Sequence, residues 1–331
     1  MLTIRTTFFS LALISILFSC DPTANKYNLR PEVHQHINEV IEVIESNSVQ
    51  KDKVDWEKFK EEVLKKASSA NSNPESYSAI QFALNQLNDY HSIYTSNDGR
   101  TFVGAQHRLC GQGPIKPFTV PNDVGYLSIP GFHLTEKEKV IDFASQIQDS
   151  IQAQDSENIR GWIVDLRRCS GGNMWPMMLG ISPLLGTKVS GYFSKMKDFD
   201  HRKNEIEEWE IENGKWRYNF FFSIELPEPY ELKWKGKKIA VLIDMATASA
   251  GEAIVVAFRG RDNTRFFGNP TCGLTTANQL FRFSNGDNIN LAVSYYADRD
   301  GHVYDSSIQP DEVITDQERV VDRAIEWIHK S

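Results

Sequence analysis

Lys238-Ile239-Ala240-Val241-Leu242-Ile243-Asp244 is a short, β-branched and almost wholly apolar run. A run of that length between polar residues has the pattern of a strand buried on both faces, as in a parallel sheet. It leads into Thr247-Ala248-Ser249-Ala250-Gly251-Glu252, and Glu252 to Phe258 has the character of a helix. A serine between such a strand and such a helix sits on a tight turn beside the unpaired N–H groups of a helix N-terminus. That place suits a helix cap, or a nucleophile whose product is an oxyanion. The pattern is T-x-S-x-G rather than G-x-S-x-G, so the hexapeptide by itself leaves both readings open.

Upstream the same grammar recurs. Val124 to Ile129 reads as a strand stopped by Pro130-Gly131-Phe132. Thr135 and Glu138 have capping-box spacing and predict the start of a helix whose apolar side carries Val140, Ile141, Phe143, Ala144 and Ile147. Gly161 to Leu166 is a second buried-type strand. Strand, helix, strand predicts a βαβ crossover, and so a parallel sheet. The second strand runs into Arg167-Arg168-Cys169-Ser170-Gly171-Gly172-Asn173. Paired glycines let backbone approach a ligand closely and can present N–H donors; they equally suit an ordinary strand-to-helix turn. Asp165 and Arg167 are expected to form a structural pair at the strand end.

The flanks differ in character. From Pro31 to about Leu87 the periodicity is helical. Val33, Ile37, Val40, Ile41 and Ile44 mark one helix, Val54 to Ala67 a second, and Ser76 to Leu87 a third after a loop containing Pro74. This helical unit ends in Leu87-Asn88-Asp89-Tyr90-His91-Ser92. Thr187 to about Pro229 is rich in charge and aromatics, among them Trp209, Trp216, Tyr218, Phe220 and Phe221, with a hairpin turn at Asn213-Gly214. It reads as an inserted antiparallel β flap, covering a cleft or extending the sheet. A hairpin crosses Asn285-Gly286, Ile308 to Asp311 is extended, and Asp316 to His329 closes the chain as a helix.

The formal net charge of −8 argues against nucleic acid as a partner. Arg5 followed by the apolar Phe8 to Phe18 has the form of a signal peptide. It ends at Leu17-Phe18-Ser19-Cys20, which resembles a bacterial lipobox. A lipoprotein signal over residues 1–20, with Cys20 lipidated and the mature protein anchored in the cell envelope, is expected. A plain secretory signal is the alternative. Cys110, Cys169 and Cys272 remain, an odd number that allows at most one disulfide and matches no zinc spacing. Their favoured reading is as small buried residues, and neither metal nor cofactor is expected.

Together the blocks resemble the S41 family of serine peptidases. Asp89-Tyr90-His91-Ser92 resembles the D-x-H-S block of its histidine-using branch, and Val124 to Phe132 the strand that opens its core. Val164 to Trp175 is similar to V-D-L-R-x-N-x-G-G-N-M-W, and Thr247 to Glu252 to T-A-S-S-G-E. Gly268 to Gly273 and Ile308 to Asp311 fit G-x-x-T-x-G and I-x-P-D. The resemblance implies an α/β (α+β) fold with a ClpP/crotonase-like core over residues 121–331 and a helical unit with connector over 21–120. It implies a peptide or unfolded protein as substrate. Two departures matter. Leu274 stands where the tail-specific branch carries its lysine base. The stretch from His91 to Val124 is also too short for a PDZ domain, since domains need at least about 50 residues. The implied site is therefore Ser249 as nucleophile and His91 as general base, with the oxyanion held by the N–H of Ala250 and one from Gly171 or Gly172. The group that orients the histidine is open. Glu252 is one candidate, or else a complement to the helix dipole. Ser92 could mediate to an acid, as in a tricorn-like arrangement. Asp305 and Asp311 are the other nearby acids, Asp311 more plausibly fixing a turn. Cys169, where the family often has Asn, bears on the hydrogen bonding of the glycine turn. A catalytically inactive peptide-binding protein is the competing class. An α/β-hydrolase is opposed by chain order, because that fold places its histidine after its serine.

Overall fold

The computed structural model describes residues 26–111, 115–186, 189–197, 199, 206–217 and 223–330. Three helices come first: α1 (Pro31–Asn47), α2 (Trp56–Ala67) and α3 (Asn73–Leu87). Then follow β1 (Ile93–Thr95), β2 (Thr101–Val103), β3 (Val124–Ser128), α4 (Lys137–Gln154), β4 (Gly161–Asp165) and α5 (Met174–Leu185). Next are β5 (Val189–Ser194), β6 (Ile206–Glu212), β7 (Lys215–Arg217), β8 (Ser223–Glu225), β9 (Lys238–Ile243), α6 (Ala250–Phe258) and β10 (Thr264–Gly268). The chain closes with β11 (Thr276–Arg282), β12 (Asn288–Asp298), β13 (Val303–Tyr304), β14 (Glu312–Val313) and α7 (Gln317–His329).

The parallel sheet follows from its strands. Its order is β14-β10-β9-β4-β3, and every neighbouring pair is parallel. All five residues of β4 are buried, as are the last five of β9. Such strands need cover on both faces, since each fully buried Val, Leu or Ile contributes roughly 1.5–3 kcal/mol that exposure would forfeit. Helix α7 covers one face, with Val320, Val321, Ala324 and Ile328 against Ile163, Ala240 and Leu242. Helices α4, α5 and α6 cover the other, burying Ile147, Met177 and Ile254 with Val164 and Val241.

A second, antiparallel sheet lies beyond those helices. Its path is β2-β1-β12-β5-β6-β7-β8, with β11 and β13 also on β12. Trp209, Trp216 and Tyr296 from this sheet join the core around α5 and α6. Near the other end of β12, Ile289 and Leu291 pack with α1, α2 and α3. The buried Asp287 carboxylate accepts hydrogen bonds from Tyr77 (3.2 Å), Tyr94 (2.5 Å) and the Asn97 N–H (2.7 Å). The N-terminal helices are thus tied to the β11–β12 hairpin, and with them the turn that carries His91.

Several local expectations change. Pro74 lies in the first turn of α3, where a missing N–H costs nothing, instead of in a loop. Thr135 and Glu138 do not cap α4; Glu136 is its N-cap, without a side-chain bond. The insertion is antiparallel, with Asn213 and Gly214 at positive φ in its turn. Because β5 pairs with β12, it continues the second sheet, and Trp216 stacks on Trp175 of α5 at 3.9 Å. Tyr218, Phe220 and Phe221 lie outside the described residues, as do Thr187 and the leader with Cys20. The cysteines are not simply small buried residues. Cys110 and Cys272 form a disulfide across 162 positions, and Cys169 is the buried free thiol.

Candidate active site

Ser249 lies on the turn between β9 and α6 with φ 52° and ψ −115°. A serine pays of order 1–3 kcal/mol for such a backbone and keeps it only where the surroundings over-determine it. They do so here. The Thr247 hydroxyl donates to the Leu166 carbonyl (3.0 Å), the Ala248 N–H to the Cys169 carbonyl (3.0 Å) and the Cys272 N–H to the Thr247 carbonyl (3.0 Å). Gly251 abuts the same Cys169 carbonyl so closely that a Cβ would sit 2.4 Å from it. From Ala246 to Phe258, Ser249 alone is not buried. Ser249 is thus the N-cap of α6, in a capping box with Glu252, yet it stays partly exposed and its hydroxyl lies against the Tyr296 phenol, so the turn does more than cap a helix.

The glycine turn after β4 faces this serine. Gly171 and Gly172 have φ of 107° and 108°. A Cβ on Gly171 would lie 2.9 Å from the Ser249 Cβ and 3.4 Å from its Oγ. The turn is pinned by the Phe132 N–H donating to the Gly171 carbonyl (3.1 Å) and the Asn173 N–H to the Phe132 carbonyl (2.6 Å). The Gly171 N–H is directed at the Cys169 thiol, whose pKa burial pushes up to about 12. Gly172 is exposed, and its N–H makes no hydrogen bond among the described residues. Ala250 opens α6, where an N–H has no carbonyl one turn earlier. The Ala250 N–H thus lies next to Ser249 in sequence, and the glycine turn set against the serine carries a second N–H, at Gly172, unpaired among the described residues.

Glu252 is fully buried, one turn into α6. Its Oε2 accepts the N–H groups of Ser249 (3.0 Å) and Leu274 (2.7 Å); its Oε1 accepts the Gly273 N–H (2.7 Å) and the Thr271 hydroxyl (2.5 Å). The four donors favour the ionised form, but burial outweighs them and pushes the carboxyl up to about 7. One carboxylate therefore fastens the serine turn to the segment from Thr271 to Leu274. Leu274 itself is buried with Ala248 and Cys272, beside Tyr90 and Cys110.

His91 arrives from the N-terminal side. Asn88, at φ 52°, ends α3 in a left-handed cap. Asp89 Oδ1 then accepts the N–H groups of His91 (2.9 Å) and Ser92 (2.7 Å). The Ser92 hydroxyl donates to Asp89 Oδ2 (2.7 Å) and accepts from the Ala292 N–H of β12 (3.0 Å). Ser92 thus fastens the turn, and its hydroxyl bonds to Asp89 and β12. The His91 Nδ1 lies 2.8 Å from the Thr276 hydroxyl. Burial, and after it the neighbouring His107, lowers the His91 pKa to about 4. The ring borders a cavity of about 280 Å³ that Lys53, Lys197 and Asp305 also line. Asp305 is paired with Lys197, and Asp311 with Arg259 (3.0 Å) and the Phe266 N–H (2.8 Å). Asp165 and Arg167 form a buried pair at 2.6 Å.

Among the described residues no hydrogen bond joins His91 to Ser249. Both instead meet the segment from Cys272 to Thr276, Ser249 through Glu252 and His91 through Thr276. Catalytic hydrogen bonds commonly close only around substrate. The sequence reading missed Tyr296, whose phenol lies in hydrogen-bonding contact with Ser249. It also missed Thr271 and Thr276. Thr276 carries no local signal and Thr271 only its place in the G-x-x-T-x-G pattern, since each acts through a partner remote in sequence.

Residues 123–314 match the model of Peptidase family S41. The chain belongs to the S41 peptidases. It is therefore a serine-type hydrolase of peptide bonds by family. This S41 peptidase is 27% identical to the nisin-resistance protein of Lactococcus lactis subsp. lactis over 306 residues, 92% of this chain and 89% of that one. It is 25% identical to the carboxy-terminal processing protease CtpA of Bacillus subtilis (strain 168) over 190 residues, 57% of this chain and 34% of that one. In fold it is similar to a lipoprotein from Streptococcus agalactiae (TM-score 0.68, 21% identity, covering 91% of this chain and 97% of that one). It is also similar to the photosystem II D1 C-terminal processing protease (TM-score 0.56, 14% identity, covering 87% of this chain and 94% of that one).

Proposed function

We propose that the protein is a membrane-anchored Ser-His endopeptidase that works through an acyl-enzyme. Ser249 attacks the peptide carbonyl. His91 takes its proton, then returns it to the leaving amine. The N–H groups of Ala250 and Gly172 hold the oxyanion, and Gly171 lets the carbonyl approach. The observation that carries this reading is the strained, partly exposed Ser249 set against Gly171. A lysine base is absent from the expected place, where Leu274 is packed in an apolar cluster. The histidine is neutral at physiological pH, as a base must be. Glu252 supports the nucleophile from behind without touching the substrate. Anchoring through Cys20 follows from the lipobox-like leader, and the similar Streptococcus agalactiae protein is itself a lipoprotein. The substrate is a peptide or an unfolded chain reaching the cell envelope.

The test is labelling of the mature protein with a serine-directed fluorophosphonate, alongside Ser249→Ala and His91→Ala. Labelling lost in both variants, with hydrolysis of a peptide library by the wild type, is expected. A wild-type protein that neither labels nor cleaves refutes the reading and leaves a peptide-binding protein. Globomycin-sensitive maturation and incorporation of labelled palmitate, abolished by Cys20→Ala, test the anchor.

A further inference from the structure

If His91 is the base, something must hold its ring with Nε2 free to accept a proton. In the best-known triads that group is a carboxylate on Nδ1–H. Among the described residues no carboxylate reaches the ring. Asp89 is consumed by the N–H groups of His91 and Ser92 and by the Ser92 hydroxyl. Asp305 is taken up by Lys197, Asp311 by Arg259, and Glu252 by four donors of its own. Lys53 and Lys197, across the adjoining cavity, carry charge of the wrong sign, and His107 repels a proton on the ring.

What meets Nδ1 is Thr276, the first residue of β11, at 2.8 Å. With the hydroxyl accepting from Nδ1–H, the lone pair sits on Nε2, where a base needs it. Position is secured from both sides. Thr276 is registered opposite Tyr295 in the β11–β12 ladder, and three residues earlier the Gly273 N–H is clamped by Glu252. The Asn278 side chain holds the His91 carbonyl at 3.0 Å.

We infer that Thr276 is the positioning residue of the site, its hydroxyl fixing the tautomer and direction of His91 in place of an acid. The inference rests on the Ser249–His91 reading. A neutral partner stabilises the imidazolium less than a carboxylate would, so the site suits an acyl transfer whose oxyanion donors bear most of the load. It also means that the hydroxyl, not a charge, should be what matters at position 276.

The experiment compares Thr276→Val, which keeps the β-branched shape, with Thr276→Ser, which keeps the hydroxyl. The expected result for Thr276→Val is a fall of about tenfold to a hundredfold in kcat and in the rate of fluorophosphonate labelling, the scale of one lost hydrogen bond on a reacting group. KM should stay within about twofold and Thr276→Ser within about threefold of wild type. Nitrogen-15 NMR of the histidines at pH 7 should show His91 with a protonated Nδ1 in wild type and Thr276→Ser, and a mixture of tautomers in Thr276→Val. Unchanged labelling and tautomer in Thr276→Val, or equal loss in Thr276→Ser, overturns the inference. If His91→Ala labels as fast as wild type, it is the Ser-His reading that fails, and the tautomer spectra still decide what Thr276 does to the ring.

Discussion

Replacing Glu252 by glutamine tests how the buried carboxyl is held. In the folded protein its pKa is pushed up to about 7, against 4.5 for an ordinary glutamate. A raised carboxyl keeps its proton in the folded state over a window where the unfolded state has lost it. The folded state then binds more protons between pH 4.5 and 7, so this group's stabilisation is complete below 4.5 and is lost as pH rises through 7. At 1.36 kcal/mol per pH unit the gap amounts to about 3 kcal/mol, a large share of a typical 5–15 kcal/mol. Glutamine has no proton to lose, so Glu252→Gln should abolish that slope. It carries its own cost. One amide oxygen can replace one carboxylate oxygen and its two donors, but the NH₂ then faces a donor. The Thr271 hydroxyl can turn to accept, whereas the Gly273 N–H cannot. One buried N–H left unpaired costs about 1–3 kcal/mol. Urea unfolding at pH 5 and pH 7.5 is the assay. The variant should be the less stable protein at pH 5, and its deficit should shrink by about 2 kcal/mol at pH 7.5, since these two values span most but not all of the window. A deficit equal at both values, or larger at pH 7.5, would refute the argument and show the four donors holding the carboxylate ionised.

Other consequences follow from the same geometry. Gly171→Ala sets a Cβ 2.9 Å from the Ser249 Cβ at a φ of 107°, so kcat should fall by about 10²–10³ through loss of the carbonyl's approach to its donors. Circular dichroism should show the fold retained, and near-wild-type turnover would remove Gly171 from the site. Because burial lowers His91 to about 4, the acid limb of kcat/KM should have its midpoint near pH 4; a midpoint near 6.5 would mean a solvated ring. Cys110→Ser with Cys272→Ser should cost about 2–5 kcal/mol by freeing a long loop. It should also depress activity beyond the stability loss, because the Cys272 N–H holds the Thr247 carbonyl. Equal activity per folded molecule would confine the disulfide to stability.

Much of the architecture was legible along the chain because it rests on short-range pattern. The runs at Gly161 and Lys238 are apolar over a strand's length, so they predict burial on both faces and hence a parallel sheet with helices on each side. The turn at Ser249 and the glycines at 171 and 172 stand out for the same reason, as small residues placed just beyond such strands. His91 was legible only through its resemblance to a family block, since a lone histidine after a helix has no local signature. The short strands β1 and β2 escaped notice because three residues carry no periodicity, and their pairing with β12 supplies their stability.

The sequence by itself thus determined the layered frame, the strand-turn-helix places for a nucleophile and its donors, and the exclusion of a lysine base by Leu274. Only the tertiary structure decided what holds those parts together. Glu252 read as a helix-dipole carboxylate until Gly273, Leu274 and Thr271 closed on it. Thr276 stood out for nothing along the chain until the His91 ring came to lie against it from 185 positions away. Cys110 found its partner across 162 positions. Local pattern reports what a residue does for its own element. A hydrogen bond or disulfide between distant segments forms only after the core has brought them together.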